Sequence, residues 1–531
     1  MNTFFKLNQQ INSLFSVNFF TKKNFFRLIV CITLINFSFL LVSFLFNYNL
    51  RDFYPIYEDD FFILSLNKND FYSLLLQPRF VTYAFSSLIN SLPYKNIYLI
   101  CFFLSTFYQA LIFLIFSNLL NLNNKQFYAF IFIGTLINCS QIEFYQIYHW
   151  LLYPSIFSSI FFWLNLVFVL EAYNTKSKFF FIFYFFVSLF IFFLGLFSKE
   201  DFILPMIVVN IFFAILIILN RETKIFFIKY QVFFLFLFII IWIYYNYFYY
   251  SNPFINEGLG GDSTYKQSFK LSSIIYNYYV YLIRYVDVSF NLFLSLILLL
   301  FFKKKINNKE IILYFLSCAL IFLIVSSYTL LENKFTHPYV TQYLPIVSAI
   351  LSLILIRINL FSKKYFLFFF IFLSIQILFY HRSYNKIIAI NYHLFVSKNF
   401  LVEIEKNLNL FKKNDVICIN INEDIHLSKI PDFTIRKSDY VKKLLGKNIN
   451  SLYYPDPWFR QDGIFFYKKY QLDNYWYIFS NENSKFYNVK DSPHHTGKTK
   501  IKILPLDDLN NYTCPKFFFN KNGKLIKFLI E

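Results

Sequence analysis

Ten or more long apolar runs, separated by short charged punctuation, constrain this chain more than any other feature. The first, Leu28–Leu50, carries no charge over its whole length, which is enough to span a bilayer as a helix. Further runs fall near 97–120, 126–142, 150–170, 179–197, 202–219, 225–250, 286–302, 311–330, 340–357 and 365–380. Buried in water-soluble form, so many uncharged runs would need a core that 531 residues with 15% charged side chains and a mean hydropathy of +0.47 cannot enclose. The sequence therefore predicts an α-helical polytopic membrane protein with about eleven transmembrane helices.

The charges between the runs set the orientation. Lys22, Lys23 and Arg27 precede the first run, and Lys125; Lys176 and Lys178; Arg221 and Lys224; Lys303, Lys304, Lys305 and Lys309; Arg357, Lys363 and Lys364 occupy alternate loops. Cationic loops stay on the cytoplasmic side, so a cytoplasmic N-terminal segment, residues 1–27, is expected. The first run reads as an uncleaved signal-anchor, since it exceeds a usual signal h-region and no small-x-small cleavage site follows. The formal charge of +20 is then a topology signal, and nucleic acid is not an expected partner. The abundance of Phe, Tyr, Ile, Asn and Lys matches AT-rich codons and is not read as a stacking surface. Cys31, Cys101, Cys139 and Cys318 lie in apolar runs and read as packing residues.

With that orientation, residues 51–96 face outward, and here the carboxylates concentrate. Asp52, Glu58, Asp59, Asp60 and Asp70 fall within twenty residues of a carboxylate-poor chain. A mixed polar and apolar stretch around Pro78 and Arg79, residues 71–91, suits a helix lying at the interface. Other outer turns carry Gln141, Glu143, His149 and Trp150; then Ser198-Lys199-Glu200-Asp201 with Pro205; then the glycine-rich 251–268; then Glu332 to His337, Tyr339, Gln342, Tyr343 and Pro345. Each has a bland alternative: an aromatic belt for His149-Trp150, a helix cap for Asp201, a Tyr anchor at 339–343. Arg284 and Asp287 are spaced to pair on one helix face.

Beyond about residue 382 charges return and short apolar stretches alternate with Asn, Asp, Lys and Pro. A helix over 398–412, a buried strand at 415–421 and a hairpin around Asn522-Gly523 are expected. Residues 382–531 read as a small extracytoplasmic α/β or α+β domain. Tyr453–Trp458 reads as an exposed loop, and Cys418 with Cys514 as a possible disulfide in an oxidising compartment. His495–Thr499 imitates a phosphate-binding loop, but Ser492 stands where its first glycine belongs. His494 and His495 lack spaced partners for a metal site.

Three features together resemble the GT-C superfamily of membrane glycosyltransferases, in its protein O-mannosyltransferase and aminoarabinose-transferase-like branches. They are the Asp59-Asp60 pair after the first run with Arg79 beyond it, Ser198-Lys199-Glu200 with Pro205, and Tyr339 to Gln342-Tyr343-Leu344-Pro345. Gln342 stands where Arg is common in the last of these. The resemblance covers residues 28–381 and implies a catalytic outer loop at 51–96. It implies sugar transfer, with inversion, from a polyprenyl-phosphate-linked donor to a hydroxyl of an envelope glycan, glycolipid or protein. Asp59 or Asp60 would act as base; Arg79, Lys199 and Arg284 would hold donor phosphate; Glu58, Glu200, Asp201, His337, Tyr339 and Tyr343 would line the cavity. No cofactor is required, though some branches hold a divalent metal between carboxylates. Competing classes are an O-antigen polymerase or ligase, a non-enzymatic lipid-linked saccharide transporter, and a family member with only an assembly role.

Overall fold

In the computed structural model each apolar stretch read from the sequence holds a helix. The structure describes residues 10–45, 80–89, 92, 94–140, 153–198, 202–220, 232–244, 271–284, 286–329, 343–359, 367–368, 370–379, 402, 405–414, 416–421, 475–480, 501–519 and 525–527. The helices are α1 (Lys22–Leu45), α2 (Phe80–Ile89), α3 (Tyr94–Leu119), α4 (Asn124–Ser140), α5 (Tyr153–Asn174), α6 (Lys178–Leu196) and α7 (Ile203–Asn220). They continue as α8 (Val232–Tyr244), α9 (Leu271–Arg284), α10 (Val286–Phe301), α11 (Asn308–Thr329), α12 (Leu344–Ile358), α13 (Phe370–Phe379) and α14 (Leu408–Lys413). Among the described residues, five helices are long and apolar enough to cross a membrane: α1, α3, α5, α6 and α11. Helices α7, α8, α10, α12 and α13 are apolar but shorter. This is a helical membrane protein with a small sheet after its bundle in the chain.

Helix α12 is the axis of the bundle. All of its residues but Ile356 and Arg357 are buried, and it packs against α3, α4, α10 and α11. Gly134 on α4 lets two of these neighbours close. A Cβ there would lie 2.3 Å from the Phe113 ring on α3 and 3.3 Å from the Ser352 hydroxyl on α12. Small residues at helix contacts are the usual way for membrane helices to gain packing, since lipid offers no hydrophobic drive between them. Amides reinforce the α5–α6–α7 face. Asn210 Nδ2 donates to Asn165 Oδ1 at 2.8 Å, and Asn165 Nδ2 donates to the Ser188 carbonyl at 2.8 Å. The lipid-facing surface is aromatic: Phe179, Phe183, Phe186 and Phe190 of α6 are exposed.

One end of the bundle gathers the cations, and it is called the basic end below. Its turns are built by asparagines. Asn123 and Gln126 cap α4 reciprocally, side chain to backbone N–H in both directions, at 2.9 and 3.3 Å. Asn121 and Asn359 take left-handed backbone, φ 49° and 58°, after α3 and α12, a conformation asparagine tolerates better than most residues. Arg27 reaches from α1 to the Leu122 carbonyl at 2.7 Å and lies over the Phe127 ring at 4.7 Å. Glu310 on α11 pairs with Arg357 of α12.

The segment before α1 is strapped across this end. Glu171 of α5 accepts the backbone N–H groups of Phe19 and Phe20. Asn174 Nδ2 donates to the carbonyls of Phe15 and Val17, both at 2.7 Å, and Lys309 Nζ donates to the Ser13 carbonyl at 2.9 Å. Leu14, Phe15, Val17 and Phe19 are buried, with the Phe15 ring 5.0 Å from that of Phe213 on α7.

The sheet consists of β1 (Val416–Ile421), β2 (Tyr475–Ser480), β3 (Ile501–Pro505), β4 (Lys516–Phe519) and β5 (Leu525–Lys527), in the order β3-β2-β1-β4-β5. β1, β2, β3 and β4 are parallel; β4 and β5 are antiparallel, with Phe519 opposite Leu525. The strand expected at 415–421 and the pairing of 517–519 with the last apolar stretch are both present. A 3₁₀ turn at Leu506–Asn511 carries the chain from β3 toward β4. The Cys418–Cys514 disulfide, with Cα atoms 5.8 Å apart, ties that crossover to the central strand. Cys418 is fully buried beside Val416, Leu506, Leu509 and Tyr512.

One expectation needs correction. Arg284 and Asp287 do not share a helix: Arg284 ends α9 and Asp287 lies in the first turn of α10. Tyr278 of α9 stacks on Phe322 of α11 at 5.2 Å, while α10 packs on α12 and receives the Tyr314 hydroxyl of α11 at the Leu292 carbonyl, at 3.3 Å. Within the helix expected over 398–412, residues 402, 405–406 and 408–412 are helical with a turn at 407, and the others lie outside the described residues.

Candidate functional site

Helix α2 joins two of the stretches singled out in the sequence. Its first turn sits on the turn that ends α6. The Val81 N–H donates to the Phe197 carbonyl at 3.1 Å, and the Thr82 hydroxyl donates to the Ser198 carbonyl at 2.7 Å. Phe80 packs on Phe197 at 4.8 Å, and Phe85 meets Phe157 of α5 edge-on at 4.6 Å. The sequence explains this docking. Phe80, Val81, Ala84 and Phe85 recur at helical spacing, so one side of α2 is apolar. Thr82 and Ser198 are both fully or nearly buried, which a polar contact in such surroundings requires. Arg79 directly precedes the helix in sequence, and Lys199-Glu200-Asp201 directly follow Ser198.

A buried polar seam runs through the same end of the bundle, opposite the basic end. Gln109 of α3 accepts from Asn138 Nδ2 at 3.3 Å, and the Ser348 hydroxyl of α12 donates to Asn138 Oδ1. Two residues further along α4, the Ser140 hydroxyl donates to Gln376 Oε1 of α13. Gln376 Nε2 in turn donates to Asn291 Oδ1 of α10 at 2.9 Å. All are buried, Gln109, Asn138, Asn291 and Ser348 completely. Asp287, one turn before Asn291 on the same helix face, is also buried. Amides and hydroxyls inside an apolar bundle are costly unless paired, so the seam pins α3, α4, α10, α12 and α13 in one register.

Of the residues expected to act, the structure describes Tyr343 and the backbone of Arg284. Tyr343 is buried and caps the N-terminus of α12, with Pro345 following in its first turn. Arg284 is the last residue of α9. Glu58, Asp59, Asp60, Arg79, Lys199, Glu200, Asp201, His337 and Tyr339 lie outside the described residues, as do His149, Asn522 and His495. Among the described residues no group of three or more His, Cys, Asp or Glu side chains comes together to hold a metal ion.

Sequence reasoning passed over the seam. The signal was available: Gln109, Asn138, Asn291 and Gln376 are isolated amides in otherwise apolar runs. Such side chains in a span face other protein, not lipid.

No family model, curated protein or solved structure matches this chain.

Proposed function

We propose that the chain is a membrane glycosyltransferase of the GT-C kind. In this reading it moves a sugar from a polyprenyl-phosphate-linked donor to a hydroxyl of an envelope glycan, glycolipid or protein. The observation that carries the reading is the hydrogen-bonded contact of Thr82 with Ser198. It unites the arm of the first loop that begins after Arg79 with the Ser198-Lys199-Glu200 turn. Residue 82, three after Arg79, thus touches Ser198, the first residue of the second motif, which supports a shared site. The cations at the opposite end favour a cytoplasmic N-terminus there. The loop end then faces outward, in a bundle of about eleven spans. The Cys418–Cys514 bond supports an oxidising compartment for the C-terminal sheet, in agreement with that orientation.

The chemistry follows from the residue types. An acceptor hydroxyl attacks the anomeric carbon as the bond from that carbon to the phosphate oxygen breaks. Asp59 or Asp60 takes the hydroxyl proton, which an ordinary alcohol does not release unaided. Positive charge developing on the sugar ring is stabilised by the neighbouring carboxylates. The leaving polyprenyl phosphate is held by Arg79, Lys199 and Arg284, whose charge makes it a better leaving group. One displacement gives inversion at the anomeric carbon.

The test is mass spectrometry of envelope glycans and glycolipids from cells carrying wild type, Asp59→Asn or Asp60→Asn. Loss of one sugar in one variant at normal protein abundance is the expected result. Unchanged glycans in both variants would overturn the assignment.

A further inference from the structure

The polar seam contains one donor that the bundle does not use. Asn291 is fully buried, its Oδ1 accepts from Gln376, and its Nδ2 has no acceptor among the described residues. Its neighbours in the seam are neutral: Gln376 with one amide, Ser140 with one hydroxyl. Asn36 Oδ1 and Asn118 Nδ2 are also left without a partner among the described residues, but of these three amides Asn291 is the one that belongs to the seam.

The composition of the seam selects the partner's chemistry. A phosphate would call for cations, and none takes part in the Asn138–Ser140–Gln376–Asn291 contacts. An isoprenyl chain would call for no polar groups at all. A sugar ring presents neutral hydroxyls that each donate and accept, which is what amides and a serine hydroxyl match. Asp287 lies one turn nearer the loop end on the same face of α10. We infer that Asn291, with Gln376 and Ser140, binds the hydroxyls of the donor's sugar and sets which sugar is accepted. The inference rests on the glycosyltransferase reading, and it assigns sugar selection to α10 and α13 and not to the first outer loop.

The experiment measures binding of polyprenyl-phosphate lipids to the full chain in nanodiscs by native mass spectrometry. The probes are undecaprenyl phosphate and the same lipid carrying glucose, mannose, galactose, N-acetylglucosamine or aminoarabinose. Wild type is expected to prefer one sugar-loaded lipid over bare undecaprenyl phosphate by about tenfold. In Asn291→Leu that preference falls to about twofold or less, with binding of the bare lipid unchanged, which also reports that the variant is folded. Should Asn291→Leu fail to fold, Ser140→Ala and Asn291→Gln are expected to weaken the preference in the same direction. A preference retained in the folded variants overturns the inference, as does a wild type that binds every lipid alike. A wild type that binds none of the lipids overturns the glycosyltransferase reading and this inference with it. Binding of only the bare phosphate by the variants, against a loaded sugar by wild type, is the supporting result.

Discussion

The hydroxyl of Thr82 donates to the backbone carbonyl of Ser198, 116 residues away in sequence, at 2.7 Å and out of contact with solvent. The bond holds the start of α2 on the turn after α6. Replacing Thr82 with Val keeps the branched shape and removes the donor, leaving the Ser198 carbonyl without it. Loss of one such bond is worth about 1 kcal/mol, or roughly a fivefold shift in the docking equilibrium. Thr82→Val is therefore expected to lower glycan product formation, by up to about fivefold, at normal abundance. Thr82→Ser, which restores the donor, should recover most of it. Equal activity of all three proteins would show that this contact does not position the site.

Gly134 makes a prediction about packing alone. Its missing Cβ leaves room for the Phe113 ring, and an added methyl would sit 2.3 Å from that ring. A ring fixed between α3 and α4 cannot yield as a chain end can. Gly134→Ala is expected to destabilise the bundle by about 1–3 kcal/mol, measured as thermal unfolding of the detergent-solubilised protein. Gly195→Ala is the comparison, because the atom it meets is the terminal methyl of Met206 at 2.5 Å, which can rotate away. A smaller loss is expected there. Equal losses would mean that neighbour flexibility does not decide the outcome.

Glu171 should discriminate sharply between two replacements. It accepts the N–H groups of Phe19 and Phe20. Glu171→Gln retains an acceptor oxygen, while Glu171→Leu leaves the Phe19 N–H without one, at roughly 1–3 kcal/mol; the Phe20 N–H keeps Asn18 Oδ1 at 3.1 Å. The Leu variant is expected to release the strap and loosen the backbone around Lys22 and Lys23, whose side chains are already exposed, for trypsin in inverted membrane vesicles. Cleavage should be several-fold faster than in wild type or Glu171→Gln. Identical digestion of all three would mean that other contacts suffice to seat the strap.

The Cys418–Cys514 bond closes a sequence separation of 96 residues. A loop of that size stabilises the linked state by about 4–5 kcal/mol in the chain-entropy account. Wild type is expected to change mobility on reduction in a denaturing gel, and Cys418→Ser to lose both the change and much of its abundance. Absence of any shift on reduction would contradict an oxidising environment for the sheet. The remaining cysteines, Cys31, Cys101, Cys139 and Cys318, form no disulfide and contribute none of it.

Much of this architecture is readable one residue at a time. Charge-free runs long enough to span a bilayer become helices because lipid leaves the backbone no other way to satisfy its polar groups. Ile417 and Ile419 within an apolar stretch mark a buried strand, and Asn522-Gly523 between two apolar stretches marks the antiparallel pairing of β4 with β5. The division of 271–302 into α9 and α10 was not readable, since that stretch contains neither Pro nor Gly. No residue type in it marks where one helix ends and the next begins. The polar seam was hidden as well. Asn138, Asn291 and Gln376 look like solitary polar residues until α4, α10 and α13 meet. The carboxylates between the first apolar run and α2, conspicuous in the sequence, lie outside the described residues, so their role rests on chemistry and on the placement of α2 beside them in the chain.

The strap at the basic end also imposes a timetable. Ser13 leaves the ribosome well before Lys309, which holds its carbonyl and lies 296 residues further on. At typical synthesis rates of 5–20 residues per second, roughly 15–60 s separate the two. During that interval α1 is already inserted while Leu14, Phe15, Val17 and Phe19 have no finished seat. The strap is thus closed long after it is made, and its apolar face waits until α11 arrives to complete its pocket.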